Sequence, residues 1–218
     1  QDFDSVTVDL QHGLNDYQIA LSMLQAISTS DKTALVRVPW NEPGIIMKLL
    51  DAGALGVICP MINTRADAEA FVGACRYTPE GYRSAGPTRA MLVHGADYIA
   101  KANDAVVTLA MIETKEALDN VAEIVATPGL TGIYVGPSDL SLSLGYGPGM
   151  DHTRPEMVDA IMAIRDACKA AGVKVGIHCG TTAYARDMIA EGFDLTTISS
   201  DLRAYAAAMG QITTDMRA

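Results

Sequence analysis

Polar residues able to do chemistry stand at the ends of short apolar runs in this chain. Val8-Asp9-Leu10-Gln11-His12-Gly13 closes the first run. A carboxylate bonded to an imidazole fixes its tautomer and raises its basicity, so Asp9 and His12 could form a general base. Alternatively, Asp9 takes loop amides and His12 is simply polar. Arg37 ends the next run, in Val36-Arg37-Val38-Pro39. A guanidinium there is costly unless paired. Its partner is either a substrate carboxylate or keto oxyanion, or a rim acid such as Asp9.

Glu113 ends a run that is apolar except for Thr108, and Asp139 follows the next one, in Tyr134-Val135-Gly136-Pro137-Ser138-Asp139. If the two runs are adjacent parallel strands, the carboxylates share one mouth. Two such charges repel unless a cation sits between them. Oxygen-only ligation with room for water and substrate suits Mg²⁺ or Mn²⁺, with Co²⁺ a further candidate. In the competing reading, Asp139 caps a helix and Glu113 bonds to Lys115 or an arginine. Gly136-Pro137-Ser138 marks a helix start whose N–H groups could seat a carboxylate. In Ile177-His178-Cys179 the last two side chains point to opposite faces of a strand, which argues against a Cys–His pair. His178 then either lines a pocket or is a hydrogen-bonded structural histidine.

These residues need a frame that gathers strand ends. Strand-like runs fall at 6–9, 34–38, 56–60, 106–112, 132–135, 173–177 and 195–198. Amphipathic helical stretches fall at 16–28, 43–52, 64–75, 114–126, 155–171 and 182–191. Apolar strands alternating with helices predict a parallel sheet covered on both faces. Gly53, Gly172 and Gly192 each close a helix just ahead of a strand, as in a repeated βα unit. The polar residues sit at strand C-termini, and no G-x-G-x-x-G follows the first strand. Both facts favour a TIM-type (β/α)8 barrel over a dinucleotide-binding sheet. Only seven strands are found, and the chain begins as if in mid-unit. The expectation is one barrel domain over 1–218 whose first βα unit is absent from the chain as it stands.

Bulk composition narrows the partners. The 218 residues are 49% hydrophobic and 19% charged, ordinary for a globular α/β protein, and the net charge is −10. Such acidity argues against nucleic acid or an anionic membrane as partner. No apolar run is long enough to span a bilayer and no signal peptide is visible. The four cysteines, Cys59, Cys75, Cys168 and Cys179, match no metal or redox spacing. They read as buried thiols of a cytoplasmic protein.

Taken in order, these segments resemble the HpcH/HpaI aldolases, the metal-dependent class II pyruvate aldolases of the phosphoenolpyruvate/pyruvate barrel superfamily. The resemblance rests on residues 9–12, 36–43, 49–53, 60–61, 76–83, 112–114 and 135–141. It implies that Glu113 and Asp139 hold the metal and that His12, held by Asp9, is the acid/base. It also implies that Arg37 binds the keto oxygen, and that Asp51 reaches the active site of a neighbouring subunit in a homo-oligomer, typically a hexamer that exchanges a C-terminal helix. The implied substrates are a small 2-oxoacid, pyruvate or hydroxypyruvate, and an aldehyde.

The chain departs from the family pattern at three places. Gln11 stands where relatives carry a glutamate, Met111 where they carry glutamine, and His178 where they carry an apolar residue of the aldehyde pocket. The last two imply a shifted acceptor preference. A Schiff-base aldolase would need a lysine at a strand end, and Lys32, Lys115 and Lys174 are all misplaced for that. Two other readings stand beside the aldolase: a CoA-thioester lyase of the citramalyl or malyl type, and a non-catalytic 2-oxoacid-binding protein.

Overall fold

Seven strands line up in sequence order, all parallel, in a computed structural model that describes residues 1–218. They are β1 (Ser5–Asp9), β2 (Thr33–Arg37), β3 (Gly56–Cys59), β4 (Val107–Ile112), β5 (Gly132–Val135), β6 (Lys174–Cys179) and β7 (Leu195–Ile198). Helices return the chain between them: α1 (Tyr17–Ile27), α2 (Pro43–Asp51), α3 (Arg65–Cys75), α4 (Thr88–His94), α5 (Tyr98–Ala105), α6 (Lys115–Asp119), α7 (Val121–Val125), α8 (Pro137–Ser143), α9 (Pro155–Ala171) and α10 (Thr182–Ala190). A last helix, α11 (Asp201–Asp215), follows β7. The architecture is the expected α/β barrel type with seven strands. β1 and β7 pair on one side only, so the sheet is open between them, where one further strand would close a barrel of eight.

Local chemistry sets the boundaries. Side chains of Asp16, Thr64, Thr114 and Thr181 accept N–H bonds at the starts of α1, α3, α6 and α10, and Pro43 and Pro155 occupy first helical turns. Gly53, Gly172 and Gly192 all take the left-handed φ, at 103°, 72° and 93°, that ends a helix and turns the chain into the next strand. Two differences from the sequence reading matter. The stretch 114–126 is two short helices broken at Asn120. Also, α4, α5 and α11 lie outside the helical stretches read from the sequence, while α8 begins at the helix start read at Gly136-Pro137-Ser138.

The sheet has two distinct faces. Val8, Val36, Val57, Ala110, Ile112, Ile133, Val135, Val175 and Ile177 join the helices in one large apolar core. Inside the curl, Ile58, Leu109, Met111 and Tyr134 form a second, small cluster. Parallel register keeps neighbours on one face. Asp9 lies opposite Arg37, Met111 opposite Tyr134 and His178 opposite Thr197. The alternation therefore turns Asp9, Arg37, Met111, Tyr134, His178 and Thr197 inward, towards the C-terminal ends of their strands. The four cysteines are free and buried, as expected. No helix is long and apolar enough to cross a membrane.

Candidate active site

Asp9 is the hub of the β1–β2 side. Arg37 donates to it through Nε (2.9 Å to Oδ1) and Nη2 (2.5 Å to Oδ2). The Gln11 and His12 backbone N–H groups donate to Oδ1 at 3.0 and 3.3 Å. The loop folds so tightly over the strand end that a Cβ on Gly13 would lie 2.2 Å from the Asp9 carbonyl oxygen, so only glycine fits there. Burial raises the Asp9 pKa, but the Arg37 guanidinium and the two amides hold it below the usual carboxylate value. Burial likewise disfavours the Arg37 charge, yet Asp9 keeps that guanidinium above its ordinary pKa.

The Asp9–His12 dyad that the resemblance implies is not formed; the alternatives drawn from the residues, loop amides for Asp9 and Asp9 as the rim acid that pairs Arg37, are the ones observed. The carboxylate grips the His12 backbone and not its imidazole, which is exposed and makes no protein hydrogen bond. The physical reason is register: Arg37 lies directly across from Asp9 and offers two parallel N–H groups, which a carboxylate takes in preference to one ring nitrogen.

Glu113 is buried, 2% exposed, just past β4. Its Oε1 accepts one hydrogen bond, 2.8 Å from the Met61 N–H. Met61 adopts φ 55°, a left-handed conformation that aims the amide after β3 into the mouth. No arginine or lysine pairs with Glu113: Lys115 bonds Asp119 instead. Burial, with the Asp139 charge adding to it and the Met61 amide and Arg37 opposing, pushes the Glu113 carboxyl up to about 7. Asp139 lies in the first turn of α8, exposed, and its side chain does not cap the helix.

Space beside Glu113 depends on Gly136. A Cβ there would stand 2.6 Å from Glu113 Oε2 and 3.0 Å from Met111 Cε. The missing methyl leaves Oε2 an open flank. On the β1 loop, Gln11 Oε1 is buried with no partner. An under-bonded buried carboxylate, a second carboxylate acting on it and a cradle kept clear by glycine fit a hard divalent cation with oxygen ligands. No group of three or more His, Cys, Asp or Glu side chains is gathered for a metal, so any ion held here would complete its shell with water or substrate.

The helix start expected to expose several amides offers fewer than foreseen. The Gly136 N–H donates to Ile112 O at 3.2 Å, and Pro137 has none, so of the three only Ser138 keeps a backbone N–H to offer. Asp51 closes α2, at the barrel end opposite the strand C-termini, and pairs with the buried Arg83 at 2.7 Å. It therefore takes no part in this chain's own mouth. His178 Nδ1 bonds Tyr134 Oη (3.1 Å) and Thr197 Oγ1 (2.8 Å). Neither of those partners was singled out from sequence.

The profile of the HpcH/HpaI aldolase/citrate lyase family matches residues 1–208. The chain belongs to that family. It is 46% identical over 217 residues to the hydroxypyruvate/pyruvate aldolase of Rhizorhabdus wittichii, a match spanning 100% of this chain and 86% of the relative. It is 37% identical over 208 residues to the 5-keto-4-deoxy-D-glucarate aldolase of Shigella dysenteriae, covering 94% of this chain and 80% of that one. A crystal structure of an HpcH/HpaI aldolase/citrate lyase family protein from Burkholderia cenocepacia superposes with TM-score 0.91 at 33% identity, covering 100% of this chain and 87% of that one. The family member described here is accordingly an aldolase, a carbon–carbon lyase.

Proposed function

We propose that this aldolase reversibly cleaves 4-hydroxy-2-oxoacids to pyruvate or hydroxypyruvate and an aldehyde, with a divalent ion, Mg²⁺ or Mn²⁺, held by Glu113 and Asp139. The observation that carries the reading is the buried, unpaired Glu113 beside the space that Gly136 keeps open. The two relatives' activities, on hydroxypyruvate and pyruvate and on 5-keto-4-deoxy-D-glucarate, support the substrate class. When bound, the ion supplies a Lewis acid for the carboxylate and keto oxygens of the 2-oxoacid.

The chain's own groups divide the remaining work. The Ser138 N–H donates to the substrate carboxylate. Arg37, with Nε and Nη2 tied to Asp9, has Nη1 left to donate to the keto oxygen. His12, exposed at the rim with an unengaged imidazole, takes the proton of the 4-hydroxyl as the C3–C4 bond breaks. The electrons of that bond pass into the 2-oxoacid fragment, and the charge that develops on its keto oxygen faces Arg37. A donor so placed is worth about 3–4 kcal/mol. Protonation at C3 then gives pyruvate. Met111 and the Gly136-Pro137 turn floor the site, and His178 faces the aldehyde half.

We also propose a homo-oligomer of one-domain subunits. α11 buries none of its residues, and Leu202, Tyr205, Met209, Ile212 and Met216 recur along one exposed side of it. Placement of Asp51 away from its own mouth agrees with service to a neighbouring subunit.

The test couples pyruvate release from a 4-hydroxy-2-oxoacid to lactate dehydrogenase. EDTA should abolish turnover, and Mg²⁺ or Mn²⁺ should restore it. Full turnover in EDTA, with a lysine adduct trapped by borohydride, would overturn the metal assignment.

A further inference from the structure

The loop between α8 and α9 returns to the strand ends it has just left. Past Ser143, the Gly145 and Tyr146 N–H groups donate back to Leu142 O (3.0 Å) and Ser141 O (2.9 Å), which reverses the chain. Gly145 and Gly147 take φ 83° and 80°, the left-handed region that a tight reversal needs. The Arg154 guanidinium lies over the Tyr146 ring at 4.8 Å and closes the loop at its base. Near the far end, two consecutive side chains reach the rim. Asp151 Oδ1 accepts the Gly180 N–H, just past β6, at 2.7 Å. His152 Nε2 lies 3.2 Å from the carbonyl oxygen of Pro137, just past β5. A carbonyl can only accept, so Nε2 carries the proton and donates.

Both contacts are closely fitted. Asp151 adopts φ 52°, a left-handed conformation that aspartate tolerates better than most residues with a side chain. A Cβ on Gly180 would stand 3.2 Å from Asp151 Oδ2 and 3.3 Å from Met150 Cβ, and one on Gly149 would stand 2.8 Å from His152 Cε1. The imidazole therefore packs against its own loop. What its bond holds is the start of α8. That helix has 7 residues and no side-chain cap at Gly136. A helix so short does not keep its own direction. His152 is the only side chain that hydrogen-bonds its first turn. Asp139 sits in that turn, exposed, with its charge acting on Glu113 and no protein hydrogen bond to aim its carboxylate. Its direction is that of the helix. A tie serving the loop alone could end anywhere on the rim; this one ends on the turn that carries Asp139.

We propose that His152, latched by Asp151, is a positioning residue for the mouth: its Nε2–H fixes the start of α8 and so aims Asp139 at the ion shared with Glu113. This rests on the metal reading of the mouth. His152 acts through the Pro137 carbonyl, and Asp151 acts by holding the loop that carries His152.

The test is calorimetric titration of Mn²⁺ into the metal-stripped protein without substrate, beside thermal unfolding in EDTA. His152→Phe keeps a ring against Gly149 and removes the donor. It should weaken Mn²⁺ binding by about tenfold, the lower end for a group that orients a ligand from outside the coordination shell. The unfolding midpoint in EDTA should move by no more than the few degrees that one hydrogen bond is worth. His152→Gln, whose amide can reach the same carbonyl, should restore most of the affinity. Asp151→Gly keeps the left-handed backbone and removes the carboxylate. It should weaken binding severalfold, and it carries the test if the phenylalanine variant does not fold. Unchanged Mn²⁺ affinity in His152→Phe or in Asp151→Gly would overturn the proposal. Equal weakening in His152→Phe and His152→Gln would do the same, since the N–H would then not be what matters. A wild type that takes up no Mn²⁺ would instead overturn the metal reading, and this proposal with it.

Discussion

Replacing Glu113 by glutamine should make the metal-free protein more stable, and the size of the gain follows from the site. The carboxyl moves from an ordinary 4.5 to about 7, chiefly by burial. At 1.36 kcal/mol per unit this is about 3 kcal/mol once the pH exceeds the folded value. Because the folded pKa is raised, the unfolded chain gives up its proton first. Stability is therefore full below 4.5, falls as pH rises towards 7, and stays low above that. Glutamine removes the charge, keeps the volume and can still accept from Met61. Thermal unfolding in EDTA should then show Glu113→Gln roughly 6–12 °C above wild type at pH 8, given about 2–4 °C per kcal/mol for a chain of this size. At pH 5 the gap should shrink to about 1 kcal/mol or less. Adding Mg²⁺ or Mn²⁺ should raise the wild-type midpoint with concentration and leave the variant behind. A variant no more stable than wild type at pH 8 would refute the reasoning, since it would mean that the buried charge costs nothing.

Other perturbations bear on the same site. Asp9→Asn should cost about 2 kcal/mol in urea unfolding at pH 7 by breaking a two-bond ion pair and leaving Arg37 under-compensated. Because the Asp9 pKa is lowered in the fold, that wild-type advantage should vanish as pH falls through its folded value; equal stability of the two proteins at pH 7 would count against the pair. Gly136→Ala should weaken metal binding in calorimetric titration by about tenfold, as a Cβ crowding Glu113 Oε2 costs on the order of 1–3 kcal/mol; an unchanged affinity would mean the cradle is not the site. Tyr205→Glu with Ile212→Glu should lower the solution mass measured by light scattering while helix content is kept. An unaltered mass would remove α11 from any interface.

The rim was legible because polar residues closing apolar runs must face a polar place. Asp9, Arg37, Glu113 and His178 do point inward or into the mouth. Their partners were harder to read. The residues left Arg37 a choice between a substrate oxygen and a rim acid such as Asp9, and strand register, which no local pattern encodes across 28 positions, decided it for Asp9. The amide that meets Glu113 comes from a left-handed methionine, a conformation with no sequence signature outside glycine, asparagine and aspartate. Tyr134, His178 and Thr197 looked like a strand aromatic, a lone histidine and a β-branched filler. Only the barrel brings them together across as many as 63 positions. The 3–4 spacing of Leu202, Tyr205, Met209 and Ile212 does mark α11 as amphipathic; what the spacing does not tell is that nothing within the chain covers that side.

The two-pronged grip of Asp9 on Arg37 also settles what kind of cation the mouth offers. A free arginine is a long swinging arm that must freeze each time it meets a ligand, at an entropic cost. Here two of its three nitrogens are already spoken for, and the third is fixed in direction before anything arrives. The guanidinium acts as a stationary post and reads where the oxygen lies as well as its charge.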